Sequence, residues 1–439
     1  MADSPKPTGA WTRALALADQ TPATRNRYVD FLRAVSITVV VLGHWLMAAP
    51  RVTGGAVRLD HILDLSPWSH WLTWALQVMP IFFIVGGFSN SITWQRSREK
   101  GGTYAGWLDS RFRRLVAPVL PLLAAWAILG VGAGLLGVAP ATLRTGSQVA
   151  LVPTWFLSVY LMVILAVPWT YRLWRRFGWG SLGMLAAGAV TVDVAAFGAD
   201  LPWLRWLNYA FVWAAVHQLG YAWRDGRVTG WRAPAISAGG LAALAGLVFL
   251  GPYPISMVGV PGEAISNTLP PTIALLALGL FQGGLLLSLE GPARRWLESR
   301  RAWAATVLVN SQIMTLFLWH STALVLVIGA LVALGGLGLG LEPVTATWWW
   351  SRIPWIALLA VSTLPFLAAF SRFERAPGTA GGKPAWWRLL PGSVLFCFGI
   401  ALLALDGVGG GRLGVRFAVL SLPFLGALLG GVGRGFSTP

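Results

Sequence analysis

The stretch RNRYVDFLRAVSITVVVLGHWLMAA, from Arg25 to Ala49, decides the fold class. Its first part carries three arginines and one aspartate, and the remainder is an apolar run that contains a single histidine, His44. A run of about 20 apolar residues is long enough to cross a bilayer as a helix. The stretch therefore predicts a membrane-spanning helix that begins beside a charged surface.

Comparable apolar runs recur along the whole chain, which is 56% hydrophobic and only 11% charged over its 439 residues. A soluble domain normally carries about 25% charged residues, so the composition predicts an integral membrane protein of the all-α class, a polytopic bundle of transmembrane helices. About twelve segments are candidate spans: 29–49, 69–94, 115–138, 149–170, 181–199, 206–223, 233–251, 269–289, 306–337, 350–370, 387–406 and 415–433.

The distribution of lysine and arginine predicts the orientation of these spans. With a cytoplasmic N-terminus, most of the 33 basic residues fall in cytoplasmic loops, which is the usual bias of membrane proteins. We therefore expect both termini in the cytoplasm. The formal charge of +17 is then a topology signal, and nucleic-acid binding is not expected. The outside loops keep Arg51, Arg58, Arg144, Arg205, Arg352, Arg412 and Arg416.

The two ends of the chain differ from its middle. Residues 1–24 are rich in Ala, Thr and Pro and lack a continuous apolar core, so we expect a disordered cytoplasmic tail there. The single cysteine, Cys397, excludes an intramolecular disulfide and a cysteine-based metal cluster, and no metal is expected.

Ionisable residues inside spans are costly, so those of the first span are candidates for function. Asp30 and Arg33 are three residues apart, which places them on one helix face near the cytoplasmic boundary. His44 lies on nearly the same side, about 16 Å deeper. Spacing leaves two alternatives open, a polar path that faces the bundle interior or an interhelical hydrogen bond made by the histidine.

Two further stretches hold candidate residues. Before the third span, Arg111 and Arg114 share a helix face while Arg113 points elsewhere, and guanidinium pairs of this kind bind phosphate, although orientation signals look the same. In the ninth span, His320 lies at a depth similar to that of His44, about 22 Å from the cytoplasmic end. His217 lies nearer the middle of a span that runs in the opposite direction. Asp193 and Asp406 are more typical of interhelical hydrogen bonds or of residues in a water cavity.

Five stretches together resemble a known family. LRAVSITVVVLGH in the first span, PIFFIVGGF in the second, RFRRLVAP before the third, TWFLSVYL in the fourth and FLWH in a late span are similar to the bacterial membrane acyltransferase family 3. The resemblance covers about residues 25 to 372. Val29 and Gly86 depart from the usual leucine and serine of that family, which affects the subgroup more than the family.

The resemblance implies a core of about ten helices at residues 25–372. The apolar runs beyond this core predict about two extra transmembrane helices and a short cytoplasmic tail at residues 373–439. It also implies transfer of an acyl group from cytoplasmic acyl-CoA, with acetyl-CoA as the expected donor, to a hydroxyl of an extracytoplasmic or membrane-associated acceptor. Glycans, glycolipids and small molecules are the expected acceptors. The expected location is a bacterial cytoplasmic membrane, and a homo-oligomer remains open because lipid-facing and subunit-facing surfaces have similar compositions.

By the same resemblance, His44 matches an essential histidine, Arg33 the arginine of the first span, and Arg111 and Arg114 an R-x-x-R motif. Asp30 and His320 join His44 and Arg33 as candidate catalytic residues, and Arg111 and Arg114 are the candidate residues for binding CoA. His44 is expected to be a general base, or the carrier of an acyl group in a covalent relay. A secondary transporter with a proton relay of His, Arg and Asp remains the alternative.

Overall fold

A computed structural model describes residues 9–22, 24–53, 56–374 and 385–432. Almost all of its regular structure is helical, which confirms the all-α class. The α-helices are α1 Ala10–Asp19, α2 Arg27–Met47, α3 Ile62–Leu65, α4 Thr73–Leu76, α5 Met79–Glu99, α6 Tyr104–Val116, α7 Val119–Leu135, α8 Pro140–Leu151, α9 Thr154–Phe177, α10 Trp179–Gly198, α11 Asn208–Arg224, α12 Arg232–Leu250, α13 Ile273–Ser288, α14 Glu290–Trp296, α15 Arg300–Asn310, α16 Ile313–Ala333, α17 Ala346–Phe370, α18 Trp386–Asp406 and α19 Phe417–Leu429.

Each of the predicted spans contains a helix, but not every helix is long enough to cross a membrane. Within the described ranges, nine helical segments are long and apolar enough to cross a membrane. The number is ten if the bent pair α13 and α14 forms one broken span. Helix α19 has 13 residues, about 20 Å, against a hydrocarbon core of about 30 Å. Helix α11, with 17 residues, is also shorter than a usual span.

A β-hairpin, which was not predicted from the sequence, follows the first span. Strands β1 Ala48–Thr53 and β2 Ala56–His61 pair antiparallel, and the register sets Ala48 opposite His61. The valine and threonine residues of the strands favour extended backbone, and Arg51 forms an ion pair of 2.9 Å with Asp60 across the strands. The hairpin thus brings His61 back to the end of α2.

Contacts divide the chain into two compact units. The first contains the described residues of Met1–Val40, Trp71–Ser89 and Leu173–Ile313, and the second those of Val41–His70, Asn90–Arg172 and Met314–Pro439. Each unit is described separately below.

In the first unit, residues expected to be a disordered tail form helix α1, which packs against α15. Arg300 donates to both carboxylate oxygens of Asp19, at 2.8 and 2.6 Å, and this contact lowers the pKa of Asp19. The indole N–H of the buried Trp303 donates to Thr21. Tertiary contacts therefore order a segment whose own composition did not predict a helix, and residues 1–8 and 23 of that segment lie outside the described residues.

In the second unit, α18 packs against helices of the region that resembles the acyltransferase family. The hydroxyl of Ser158 on α9 donates to the carbonyl of Cys397 at 2.9 Å, and that of Thr154 to the carbonyl of Ile400 at 3.2 Å. Helix α19 in turn packs along α18. The two C-terminal helices are thus integrated into this unit, whereas the predicted cytoplasmic end from residue 433 lies outside the described residues.

Glycines allow α5 and α11 to cross closely in the first unit. A Cβ atom added to Gly87 would overlap the backbone carbonyl of His217, and one added to Gly220 would overlap that of Ile84.

We expect Gly87→Ala to destabilise the protein by about 1–3 kcal/mol, because two backbones would have to separate. Thermal unfolding in detergent measures this effect. Gly183→Ala on α10 is the matched control, since an added Cβ there meets nothing within 4 Å, and equal stability of the two variants would contradict the prediction.

Candidate active site

Two histidines from distant parts of the sequence meet in the second unit. Nδ1 of His44 lies 2.8 Å from Nε2 of His320, and the imidazole planes are parallel to within 1°. His44 is in the last turn of α2 and partly exposed, whereas His320 on α16 has 0% exposure. The matched depth expected from the sequence is thus accompanied by direct contact.

The hydrogen bonds of His320 determine which nitrogens carry protons. Its Nδ1 lies 2.7 Å from the carbonyl of Phe317, and a carbonyl can only accept, so this nitrogen carries the proton of the neutral ring. Nε2 of His320 is then an acceptor, and Nδ1–H of His44 must donate to it. The hydroxyl of Ser321 donates to the same nitrogen at 3.1 Å. In this arrangement the lone pair of His44 is on Nε2, which is the form a general base needs.

Indole N–H groups fix the helices that carry this pair. Trp45 donates to the carbonyl of His320 at 3.1 Å, and Trp355 on α17 donates to the carbonyl of Trp45 at 3.0 Å. Trp126 on α7 donates to the hydroxyl of Thr322 at 3.1 Å. Four helices are therefore connected around the two imidazoles.

His61 is a neighbour of His44 that was not among the candidate residues, and the two are close enough for their charges to interact. Its Nδ1 accepts from the N–H of Leu63, and burial lowers the pKa of His61 to about 4. His61 is therefore neutral at neutral pH, and a proton on it would disfavour a charged His44. No pattern in the sequence indicates this proximity, because it depends on the hairpin register that places His61 opposite Ala48.

Asp30 and Arg33 lie in the first unit, on the earlier part of α2. Their predicted pairing is present but long, with 3.8 Å between Nη1 of Arg33 and the carboxylate, whereas Nε of Arg25 donates to Asp30 at 2.6 Å. Asn310 donates to the backbone carbonyl of Asp30 at 2.9 Å. Arg25 is thus a closer partner of Asp30 than Arg33 is.

The three arginines of α6 have different environments. Arg113 is buried and donates through Nε to both carboxylate oxygens of Asp109, at 2.8 and 2.9 Å. Arg111 is half-buried beside the ring of Trp107, and Arg114 is exposed near the carboxylate of Glu374. The structure thus separates Arg111 and Arg114 from Arg113, as helical spacing predicts.

The carboxylates expected to make interhelical hydrogen bonds do so. Asp193 accepts from Asn208 at 2.7 Å, from the phenol of Tyr253 at 3.0 Å and from the N–H of Ile273 at 2.9 Å. Asp406 forms ion pairs with Arg144 and Arg416. His217, fully buried, packs edge-on against Tyr221.

Arg352, which the sequence placed in an outside loop, instead lies within α17 with 7% exposure. Its guanidinium group is 4.1 Å from the ring centroid of Trp348 and 5.1 Å from that of Trp355. A charged side chain at the centre of a span costs about 2.5–3.5 kcal/mol on insertion scales, so a buried arginine is a candidate functional residue. The available signal was the spacing, which puts both tryptophans on the helix face of Arg352.

The comparisons with known proteins give one match. A model of the acyltransferase family 3, described as an acyltransferase domain, matches residues 26–372, which is more than half of the 439-residue chain. No curated protein and no solved structure matches.

In the part of the chain that the structure describes, no group of three or more His, Cys, Asp or Glu side chains is placed to hold a metal ion.

The proton arrangement of the histidine pair can be measured directly. We expect ¹⁵N spectra of histidine-labelled protein to show both His44 and His320 as the Nδ1–H tautomer. His320→Phe removes the acceptor for Nδ1–H of His44, so His44 should shift toward the Nε2–H tautomer that a free histidine side chain prefers. His70→Phe is the control, because His70 bonds to the carbonyl of Leu63 instead. An Nε2–H signal for His44 in the wild type would contradict the assignment.

Proposed function

The chain belongs to the acyltransferase family 3, and on this basis we propose that it moves an acyl group, with acetyl as the simplest case, from acyl-CoA to a hydroxyl group of a cell-envelope glycan or glycolipid. The observation that carries this proposal is the contact between His44 and His320, which leaves a proton-accepting nitrogen on a partly exposed ring.

In the proposed reaction His44 is the general base. Its Nε2 removes the proton from the acceptor hydroxyl, and the oxygen attacks the carbonyl carbon of the thioester. A C–O bond forms as the C–S bond breaks, and the departing CoA sulfur takes the proton from His44. The ester and free CoA are the products, and the base returns to its starting form.

His320 acts in this scheme as a positioning residue. While His44 is protonated, its Nδ1–H continues to donate to Nε2 of His320, which stabilises the imidazolium form. The bond also holds the ring in one orientation. The burial of His320 and its bond to the carbonyl of Phe317 support this role, because both restrict rotation of its ring.

The donor is proposed to bind by its phosphates to Arg111 and Arg114. Guanidinium groups bind phosphate oxygens through paired N–H donors. Arg113 is already bonded to Asp109, which leaves this role to the two outer arginines of the motif. Glu374 lies near Arg114, so a bound phosphate would have to compete with that carboxylate.

The proposed orientation has α2 beginning at the cytoplasmic face, with the protein in a bacterial cytoplasmic membrane. It rests on the excess of arginine and lysine in the loops of that side. His44, in the last turn of α2, is then near the opposite face. An acceptor on the extracytoplasmic side would reach it over a short distance.

Removal of the proposed base tests the function. We expect His44→Ala to lower kcat for acetyl transfer by about 10²–10⁴-fold, as loss of a general base usually does. The assay is ester formation by purified protein with acetyl-CoA and an envelope glycan fraction. His70→Ala should retain activity, because His70 is bonded within the segment that follows the hairpin. Full activity of His44→Ala would refute the role of this histidine.

The donor site is tested by CoA affinity. An Arg111→Ala/Arg114→Ala double variant should bind CoA at least tenfold more weakly, because two phosphate contacts are lost. Isothermal titration in detergent measures the affinity. The matched control is Arg175→Ala/Arg176→Ala, which removes two exposed arginines at the end of α9. If the Arg111→Ala/Arg114→Ala variant binds CoA as tightly as the wild type, the two arginines serve only to orient the protein in the membrane.

A further inference from the structure

Arg352 has an unusual environment for a buried arginine. Its Nη2 donates to the hydroxyl of Ser351 at 3.1 Å, while Nε and Nη1 are buried without a hydrogen-bond partner among the described residues. Within the same described ranges, no carboxylate forms an ion pair with it. The guanidinium group remains charged under all physiological conditions, so this site holds an uncompensated positive charge.

Three other arginines of the second unit that are buried or half-buried are paired with carboxylates. Arg113 bonds to Asp109, Arg51 forms ion pairs with Asp60 and Glu342, and Arg416 pairs with Asp406. Burial of a charge is unfavourable unless the charge is paired and hydrogen-bonded. The rings beside Arg352 offset part of that cost by cation–π attraction, but they supply no hydrogen-bond acceptor in their planes.

The tryptophans beside Arg352 connect it with the segment that carries His44. Trp355 donates to the carbonyl of Trp45, the residue that follows His44. Trp348 packs in a buried apolar cluster with Ala49 and Ile62, at the base of the hairpin. The guanidinium group therefore lies beside the end of α2 and the hairpin that returns His61 to it.

We propose that Arg352 binds an anionic group, a phosphate or a carboxylate, of the acceptor whose hydroxyl group reacts at His44. The inference rests on the proposed function and narrows it to anionic acceptors. A guanidinium group with unused N–H donors suits an oxyanion, and indole faces keep its plane fixed and water away. An acceptor bound in this way would present a neighbouring hydroxyl group to Nε2 of His44.

The first test measures binding by the full-length protein in detergent. Glucose 1-phosphate and glucuronate are the anionic probes, which separate phosphate from carboxylate, and glucose is the neutral one. We expect at least one anion to bind at least tenfold more tightly than glucose, and Arg352→Gln to abolish that preference. Arg205→Gln is the matched control, since Arg205 is equally buried but lies in the first unit and donates to the carbonyl of Ser266. Equal binding of all three probes, or an unchanged preference in Arg352→Gln, would overturn the proposal.

A second measurement separates a binding role from a structural one. Replacement of an unpaired buried charge by an apolar side chain of similar length should keep or raise the melting temperature. We therefore expect Arg352→Met to be at least as stable as the wild type while losing the preference for the anion. A lower melting temperature, together with retained anion binding, would assign Arg352 a structural role and overturn the proposal.

The His44→Ala variant distinguishes this proposal from the proposed function. It should still bind the anionic probe through Arg352, although its kcat for acyl transfer is lowered by about 10²–10⁴-fold. If wild-type protein binds the anion through Arg352 but shows no acyl transfer to any acceptor, the enzyme assignment fails while the anion site stands. If acyl transfer proceeds equally well in Arg352→Met with charged and neutral acceptors, the anion site fails while the enzyme assignment stands.

Discussion

The hydrogen bond between the two imidazoles of His44 and His320 is the interaction on which the proposed chemistry depends. Its direction is set by a backbone group, because the carbonyl of Phe317 can only accept and so holds the proton of His320 on Nδ1. The lone pair of His320 then holds the proton of His44 on its own Nδ1. One carbonyl oxygen thus determines the tautomers of two side chains, and the basic nitrogen of His44 faces away from the pair.

The low polarity of a membrane imposes a second constraint, which is that charges must be compensated inside the protein. In the second unit, Asp109, Asp60 and Asp406 each have an arginine partner. The imidazoles of His44 and His320 need no compensating charge, because both rings are neutral and their polar nitrogens form a hydrogen bond with each other. Arg352 is an exception, because its guanidinium group is flanked by two indoles and bonded to one hydroxyl. One of these indoles, that of Trp355, donates to the carbonyl of Trp45, the residue after His44.

The features that could be predicted from the sequence are those that depend on the number of residues between positions within one helix. The all-α class, the shared face of Asp30 and Arg33, and the common depth of His44 and His320 all depend on the 1.5 Å rise or the 3.6-residue period. Features that depend on where the chain folds back were missed. Arg25 approaches Asp30 from before the first residue of α2, and His61 returns through a hairpin register, so neither follows from helical spacing.

The helix α1 was missed for a related reason. Its order comes from contacts with α15, some 281 positions away in sequence for the ion pair between Asp19 and Arg300, and local composition carries no signal of them. Arg352 was counted with an outside loop because it lies only two residues after the start of the predicted span 350–370, whereas the helix begins at Ala346 and includes the tryptophans that flank the charge.

The unequal surroundings of the two histidines decide which one can be the base. Both nitrogens of His320 are engaged, Nδ1 with the carbonyl of Phe317 and Nε2 with His44 and Ser321, and the ring is fully buried. It could accept a proton from a substrate only by breaking the bond that orients its partner. His44 is partly exposed and uses one nitrogen in that bond, so proton transfer at Nε2 leaves the pair intact. His320 therefore orients and stabilises His44. The assignment of His44 as the base follows from the different burial of the two rings and from the carbonyl of Phe317, which can only accept a hydrogen bond.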